Sequence, residues 1–198
     1  MTAKPPRRHR ASPGPAWAID PRTGLLACAD YRPSPHCDDR PAGAAVEVLV
    51  VHAISLPAGA FGGPYIDDLF LGRLDAAAHP SFREIAGLEV SAHFLVRRDG
   101  ALVQYVPVHR RAWHAGESCC EGRPRVNDFS VGVELEGCDH LPFEPVQYRV
   151  LADLTRALMR RYPALTPGRI YGHADVAPGR KTDPGPHFDW ARLRRLLA

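Results

Sequence analysis

Residues 46–52 constrain the fold of this chain more than any other stretch. They read Val-Glu-Val-Leu-Val-Val-His, a nearly continuous apolar and β-branched run. Such a run predicts a strand buried on both faces, as in the centre of a parallel sheet. The strand therefore requires packed layers on both sides. His52, at its end, is a candidate functional residue, and the alternative is a hydrogen-bonded core histidine.

The other segments supply the rest of a sheet and the helices that cover it. Residues 145–162 place apolar side chains at three- and four-residue spacing, which predicts a helix that Pro163 ends. Two apolar runs flank Asp99-Gly100, which indicates a hairpin. The remaining predicted elements are short helices over 66–71 and 80–85, hairpin strands over 91–96 and 102–106, a strand over 131–136, a brief strand at 170–171 and a helix over 190–197.

The predicted fold class is α/β, with a mixed central sheet flanked by helices, because the hairpin excludes a purely parallel sheet. The 198 residues, 45% hydrophobic and 24% charged, suit one globular domain. Residues 1–16 are polar and proline-rich, so we expect a disordered tail there and a single domain over 17–198.

Charge and cysteine content restrict the partners and the compartment. The net charge is +3, and the basic residues cluster near the two ends without interleaved aromatics, so no nucleic-acid partner is predicted. We find no signal peptide and no apolar run long enough for a membrane span. The five cysteines contain no C-x-x-C pair and are expected to be reduced packing residues. These features predict a cytoplasmic protein, with a monomer as the default.

Residues 172–185 form a proline- and glycine-rich segment that contains His173, Lys181 and Asp183. Its prolines forbid a continuous helix, so we expect a rigid loop after the brief strand. Such a loop can place the three side chains around one point. A polar surface loop in which they never meet is the alternative.

His52, His173 and Asp183 together make a plausible zinc site, because catalytic zinc commonly takes three protein ligands and leaves a fourth position open. Hydrolysis also needs a general base, and Glu134 and Glu136 lie on the same face of the strand over 131–136. The alternation along this strand does not choose between them, and a solvated sheet face is a further alternative. Lys181 could stabilise a developing oxyanion.

Four motifs in order carry a resemblance to a known family. They are residues 50–57 (Val-Val-His-Ala-Ile-Ser-Leu-Pro), 113–116 (Trp-His-Ala-Gly), 127–137 (Asn-Asp-Phe-Ser-Val-Gly-Val-Glu-Leu-Glu-Gly) and 172–185. Together they closely resemble the AmpD family, cytoplasmic zinc amidases that cleave 1,6-anhydro-N-acetylmuramyl-L-alanine. The resemblance spans roughly residues 17–196, and it implies the peptidoglycan-amidase fold shared with phage amidases and peptidoglycan recognition proteins.

The resemblance also implies a role for each matching residue. His52, His173 and Asp183 match the zinc ligands, Glu134 the general base and Lys181 the transition-state stabiliser. Trp113 and Arg125 match positions that contact the sugar and peptide portions of the ligand. The implied domain over 17–198 is therefore a zinc amidase that acts on soluble anhydro-muropeptides in peptidoglycan recycling.

Two positions depart from the family pattern. Ala53 stands where the family has Asn after the first zinc histidine, and Glu89 stands where it has Arg before Val-Ser-Ala-His. Both positions are associated with substrate contacts, so the preference for the peptide is open. Two other functions remain as alternatives: a non-catalytic muropeptide sensor, which would be expected to lose ligands or acid/base residues, and an amidase of intact peptidoglycan.

Overall fold

The computed structural model describes residues 17–198, so the expected tail over 1–16 lies outside the described residues. The ten strands, in chain order, are β1 (Asp30–Tyr31), β2 (Cys37–Asp39), β3 (Val48–Ile54), β4 (Phe94–Val96), β5 (Leu102–Gln104), β6 (Arg110–Ala112), β7 (Cys119–Cys120), β8 (Arg123–Pro124), β9 (Ser130–Glu136) and β10 (Ile170–Gly172). The same part of the chain contains four α-helices: α1 (Tyr65–Phe70), α2 (Pro145–Arg161), α3 (His173–Val176) and α4 (Trp190–Leu197).

A six-stranded mixed sheet organises the molecule, in the order β1-β5-β4-β9-β3-β10. The β4–β5 hairpin is its antiparallel pair, and the other neighbours run parallel. The mixed sheet predicted from the hairpin and the apolar strand is therefore confirmed. Two small two-stranded sheets, β2–β6 and β7–β8, lie outside it.

Strand β3 is buried on both faces because its alternate residues enter different cores. Leu49 and Val51 pack with apolar residues of α2, while Val48 and Val50 pack against a cluster that includes Val176 of α3. A further core packs α1 against residues of the β4–β5 hairpin. The packed layers predicted from the apolar run are therefore present on both faces of β3. His52 shares the face of Val48 and Val50.

The register between β3 and β9 positions the polar groups of the sheet. His52 pairs with Glu134, Val50 with Gly132 and Val48 with Ser130. Because residues two apart share a face, His52 and Glu134 lie side by side on the same surface of the sheet. Strand pairing therefore brings together a candidate metal ligand and a candidate base that are far apart in sequence.

The segment expected to be a loop after β10 differs in one respect. It begins with a single helical turn, α3, rather than with irregular chain. The Asp175 carboxylate accepts the backbone N–H of Gly172 at 2.7 Å, which closes this turn at its start. The prolines do end it early, as the sequence indicated. The α2 helix ends at Arg161, one residue before the predicted end.

The prediction of a helix over 80–85 is wrong: the structure has a 3-10 turn there, Pro80–Phe82, continued by further turns. No helix within residues 17–198 combines the length and apolarity that crossing a bilayer would need.

The cysteine side chains carry free thiols, and Cys120 is buried beside Phe129.

Candidate active site

The three proposed ligands converge on one point. His52 Nδ1 lies 3.0 Å from His173 Nδ1, and each of these atoms lies 3.2 Å from Asp183 Oδ2. Ligand atoms on a tetrahedral zinc ion would lie roughly 3.3 Å apart, given metal–ligand distances of about 2.0–2.2 Å. The three donors therefore fit a zinc ion, and among the described residues they form a group that contains no cysteine.

The segment after β10 folds back on itself to build half of this cluster. The backbone N–H of Ala174 donates to the carbonyl of Asp183 at 2.9 Å, which holds the aspartate beside His173. The guanidinium of Arg180 donates to the carbonyls of Ala115 and Glu117, which ties the segment to the chain before β7. The alternative of a surface loop with separated side chains is wrong.

Each of the two histidines has a second partner at its other ring nitrogen. Nε2 of His52 lies 2.9 Å from Nδ1 of His114, and Nε2 of His173 lies 3.2 Å from the carbonyl oxygen of Ala115. These contacts leave both Nδ1 atoms directed at the cluster. Such partners commonly orient metal-binding imidazoles.

The electrostatics favour ligands in their metal-binding protonation states. Burial lowers the pKa of His52 to about 4, so its imidazole is neutral at physiological pH. Burial opposes ionisation of Asp183, but its contacts with His173 and His52 hold the pKa of this carboxyl below its usual range. Neutral imidazole and ionised carboxylate are the forms that bind zinc.

Glu134 is a buried carboxyl group with an unusual environment. Its Oε2 atom has no hydrogen-bond partner within residues 17–198. Burial raises its pKa well above the usual range, Asp183 raises it further and Lys181 opposes the shift. A buried carboxyl group whose pKa is raised in this way, beside possible metal ligands, is a candidate for proton transfer.

Glu136 is occupied by structural contacts. Its Oε1 accepts from the backbone N–H of Gly62 at 2.6 Å and from Arg97 at 3.1 Å, and its Oε2 accepts from the backbone N–H of Arg98 at 3.1 Å. Arg97 also pairs with Asp67 at 2.5 Å. Glu136 therefore anchors the hairpin turn, and Glu134 is the glutamate with a free acceptor.

A cavity of about 230 Å³ encloses the cluster, and six of the seven predicted residues line it: His52, Trp113, Glu134, His173, Lys181 and Asp183. A groove of about 500 Å³ shares Ala53, Ile54, Lys181 and Asp183 with it. Arg125, the seventh residue, does not line the cavity. Its side chain is exposed and lies 3.0 Å from Asp128.

Trp113 is held as a fixed platform at the cavity wall. Its indole N–H donates to Asp38 at 3.1 Å, and the ring of His36 stacks on it with 6.2 Å between centroids. Arg111 holds Asp38 with two nitrogens and also pairs with Asp128, the partner of Arg125. A chain of ion pairs thus links Arg125 to the indole.

Sequence analysis gave no role to His114, which it included only within the Trp-His-Ala-Gly motif. The structure places it against His52 and in the cavity wall. Asp38, which holds the indole, was also missed, because it lies 75 residues away from Trp113. No local pattern in the sequence signals either contact.

A mixed sheet that presents two histidines and an aspartate beside a buried glutamate is typical of one class of enzyme, the metallohydrolases. The family model for Amidase_2, N-acetylmuramoyl-L-alanine amidase, matches residues 42–186. The 1,6-anhydro-N-acetylmuramyl-L-alanine amidase AmpD of Citrobacter freundii is 58% identical over 174 residues, which cover 88% of this chain and 92% of that protein. The chain therefore belongs to the N-acetylmuramoyl-L-alanine amidase family, and within it to the AmpD amidases.

Solved structures agree with this assignment. A crystal structure of a selenomethionine AmpD derivative matches with a TM-score of 0.87 at 57% identity and covers 89% of this chain and 98% of that chain. AmiD from E. coli, in complex with the substrate anhydro-N-acetylmuramic acid-L-Ala-D-gamma-Glu-L-Lys, matches with a TM-score of 0.57 at 32% identity. That match covers 79% of this chain and 60% of the other. The expected fold and enzyme class are confirmed.

Proposed function

We propose that residues 17–198 form a zinc-dependent amidase that hydrolyses the bond between the lactyl group of 1,6-anhydro-N-acetylmuramic acid and L-alanine. Its substrates are soluble muropeptides released during peptidoglycan recycling, and it acts in the cytoplasm as a monomer. One observation carries the proposal: three metal-binding atoms meet within 3.2 Å of one another in a cavity that also contains the unpartnered Oε2 of Glu134.

His52, His173 and Asp183 would hold the zinc ion. When bound, zinc polarises a carbonyl group and lowers the pKa of water to near neutrality. The convergence of the three donors and the occupied Nε2 atoms of both histidines support this ligand set. The sensor alternative receives no support, because the ligands, Glu134 and Lys181 are all in place around one cavity.

Glu134 and Lys181 would perform the remaining steps. Glu134 takes a proton from the attacking water at its free Oε2 and returns it to the alanine nitrogen as the amide breaks. Its raised pKa supports this role, because a carboxylate whose pKa is raised is a stronger base than an ordinary one. The ammonium group of Lys181 stabilises the negative charge that develops on the lactyl carbonyl oxygen.

The substrate has two parts, one on each side of the scissile amide, and the site has two connected depressions. The cavity beside Trp113 and the groove beyond Lys181 meet at Ala53, Ile54 and Asp183. An indole face is a suitable surface for a sugar ring, and Arg125 provides a guanidinium for a peptide carboxylate. The side chain of Arg125 is exposed, and this contact would compete with its ion pair to Asp128.

The decisive experiment mixes the purified protein with 1,6-anhydro-N-acetylmuramyl tripeptide and follows the products by chromatography. Three samples are compared. The first contains protein and soluble substrate, the second also contains a chelator, and the third contains intact peptidoglycan instead of the soluble substrate. We expect release of free tripeptide, loss of this release with the chelator, recovery on adding Zn²⁺, and slow or no release from intact wall.

Each arm can contradict a different part of the proposal. Tripeptide release that survives exhaustive chelation would remove the metal from the mechanism. Binding of zinc without any cleavage would exclude this substrate, and Ala53 and Glu89 would then be the first positions to revert. Faster release from intact peptidoglycan than from the soluble compound would favour a wall-degrading enzyme.

A further inference from the structure

His114 lies between a proposed zinc ligand and the neighbouring strand. Its Nδ1 is 2.9 Å from Nε2 of His52, and its Nε2 is 3.1 Å from the hydroxyl oxygen of Ser130. The rings of His114 and His52 meet edge to face, with centroids 5.0 Å apart. Both ring nitrogens of His114 therefore have partners, and one partner is a ligand of the metal.

If His52 binds the metal through Nδ1, the position of each proton in the hydrogen-bonded series His52–His114–Ser130 follows. A neutral imidazole that presents Nδ1 to a metal must carry its proton on Nε2. That N–H can donate to His114 only if Nδ1 of His114 is unprotonated. The proton of His114 is then on Nε2, from which it donates to the Ser130 hydroxyl oxygen.

The β9 strand makes room for this imidazole with a glycine. A Cβ atom added at Gly132 would lie 2.4 Å from Cγ of His114, closer than real Cβ contacts allow. Gly132 lies inside a fully buried strand, where glycine has the drawback of filling no space. Any side chain at this position would displace the ring from its place beside His52.

The backbone of the His114 segment is fixed independently. The side-chain oxygen of Asn127 accepts the backbone N–H groups of His114 at 3.2 Å and of Ala115 at 2.8 Å. The carbonyl of Ala115 is the partner of His173. Two consecutive residues thus contact the two ligand histidines, and a single amide side chain holds both in place.

We infer that His114 is a positioning residue for the zinc site: as an acceptor at Nδ1, it fixes the tautomer and the ring orientation of His52. This inference rests on the proposed zinc function. A partner of this kind also makes the ligand nitrogen more basic, and its removal typically weakens metal binding by about 10–100-fold.

Two substitutions at the same position separate the acceptor from the rest of the side chain. In His114→Asn, the amide oxygen occupies the place of Nδ1 and can still accept from His52. In His114→Gln, the amide reaches the place of Nε2 and retains a partner for Ser130, but no acceptor faces His52. Both variants lose the ring, so packing losses are similar.

The test measures zinc affinity by competition with a chelating dye, in wild type and in both variants. Thermal unfolding of the zinc-free proteins serves as the folding control. We expect His114→Gln to bind zinc about 10–100-fold more weakly than wild type, and His114→Asn to remain within about threefold. The absorption spectrum of the Co²⁺-loaded proteins should change for His114→Gln and not for His114→Asn.

Equal losses in both variants, unchanged affinity in both, or a loss confined to His114→Asn would each overturn the inference. Absence of zinc binding in wild type would overturn the proposed function as well, which distinguishes the two failures. If His114→Gln does not fold, ¹⁵N NMR of zinc-loaded wild type decides. A proton on Nε2 of His114, with Nδ1 free, supports the inference, and a proton on Nδ1 refutes it.

Discussion

Glu134 and Glu136 lie two residues apart on β9, and replacing each with glutamine should change the free energy of unfolding in opposite directions. Glu134 has an unpartnered buried oxygen, whereas Glu136 has three donors. We expect Glu134→Gln to lower kcat by about 10²–10⁴-fold, equivalent to about 3–5 kcal/mol on the barrier, because the amide cannot take up a proton. Zinc content should be unchanged.

The same Glu134→Gln substitution should stabilise the zinc-free protein. Burial raises the pKa of Glu134 above its unfolded value. Below about pH 4.3 the carboxyl group is protonated in both states and costs no stability. As the pH rises from there to the folded pKa, the unfolded state ionises first, so the folded state loses stability progressively. We expect the free energy of unfolding at neutral pH to rise by about 1 kcal/mol, with the gain vanishing toward pH 4.

Glu136→Gln is the matched control. It leaves Arg97 and two backbone N–H groups facing a neutral amide, so we expect a loss of about 3 kcal/mol in the free energy of unfolding. At temperatures where this variant is folded, its kcat should stay within about tenfold of wild type.

The assays for this pair are urea unfolding of the zinc-free proteins and tripeptide release by the zinc-loaded ones. A Glu134→Gln enzyme with a near-normal rate would remove the proposed base. A larger loss of kcat in Glu136→Gln than in Glu134→Gln would mean that the two roles are reversed. Destabilisation by Glu134→Gln would show that its carboxylate has a partner in solution.

Three further predictions concern the rest of the cavity. Lys181→Ala should lower kcat by about 10²–10³-fold with little change in KM, which steady-state kinetics would show, and a rise in KM alone would make Lys181 a binding group. Trp113→Ala should raise KM for the anhydro-muropeptide by about tenfold, an effect of about 1.4 kcal/mol that calorimetry can check. Binding as tight as that of wild type would contradict the role of the indole as a sugar-binding surface. The hydrogen bonds from Arg111 hold the pKa of Asp38 at about 2, so the stability that this ion pair adds is present above about pH 4 and lost as the pH falls from about 4 to 2. Because Asp38 is 40% exposed, that contribution should not exceed about 1 kcal/mol. Unfolding measured as a function of pH should show the difference in the free energy of unfolding between wild type and Asp38→Asn shrinking over this range. A difference that persists at pH 2 would refute the charge argument.

The sequence predicted the central strand because its apolar run is strong and local, and it predicted the hairpin because Asp99-Gly100 marks the turn. It did not predict β2 and β6, since both strands are short and polar and lack an alternating pattern. The one-turn helix α3 was missed for a similar reason, because four residues are too few to show a helical period.

The site shows the same division between local and distant information. The end of an apolar strand pointed to His52, but the choice between Glu134 and Glu136 needed the resemblance. Alternation gives both glutamates the same face, and what separates them is Arg97, which reaches Glu136 from 39 residues away. His114 lies 62 residues from His52 in sequence, so its contact with this proposed ligand is visible only in the folded chain.

Among the proposed zinc ligands, His52 lies 121 residues from His173, and this spacing has a consequence for the lifetime of the protein. Asp183 lies 131 residues from His52, so a bound ion closes a very long loop that an unfolded chain cannot hold. At a free zinc concentration 1,000 times Kd, the folded state gains about 4 kcal/mol. Scarcity of the metal would therefore enlarge the fraction of unfolded molecules open to proteases. Zinc supply would set how many copies of the enzyme survive as well as how many of them work.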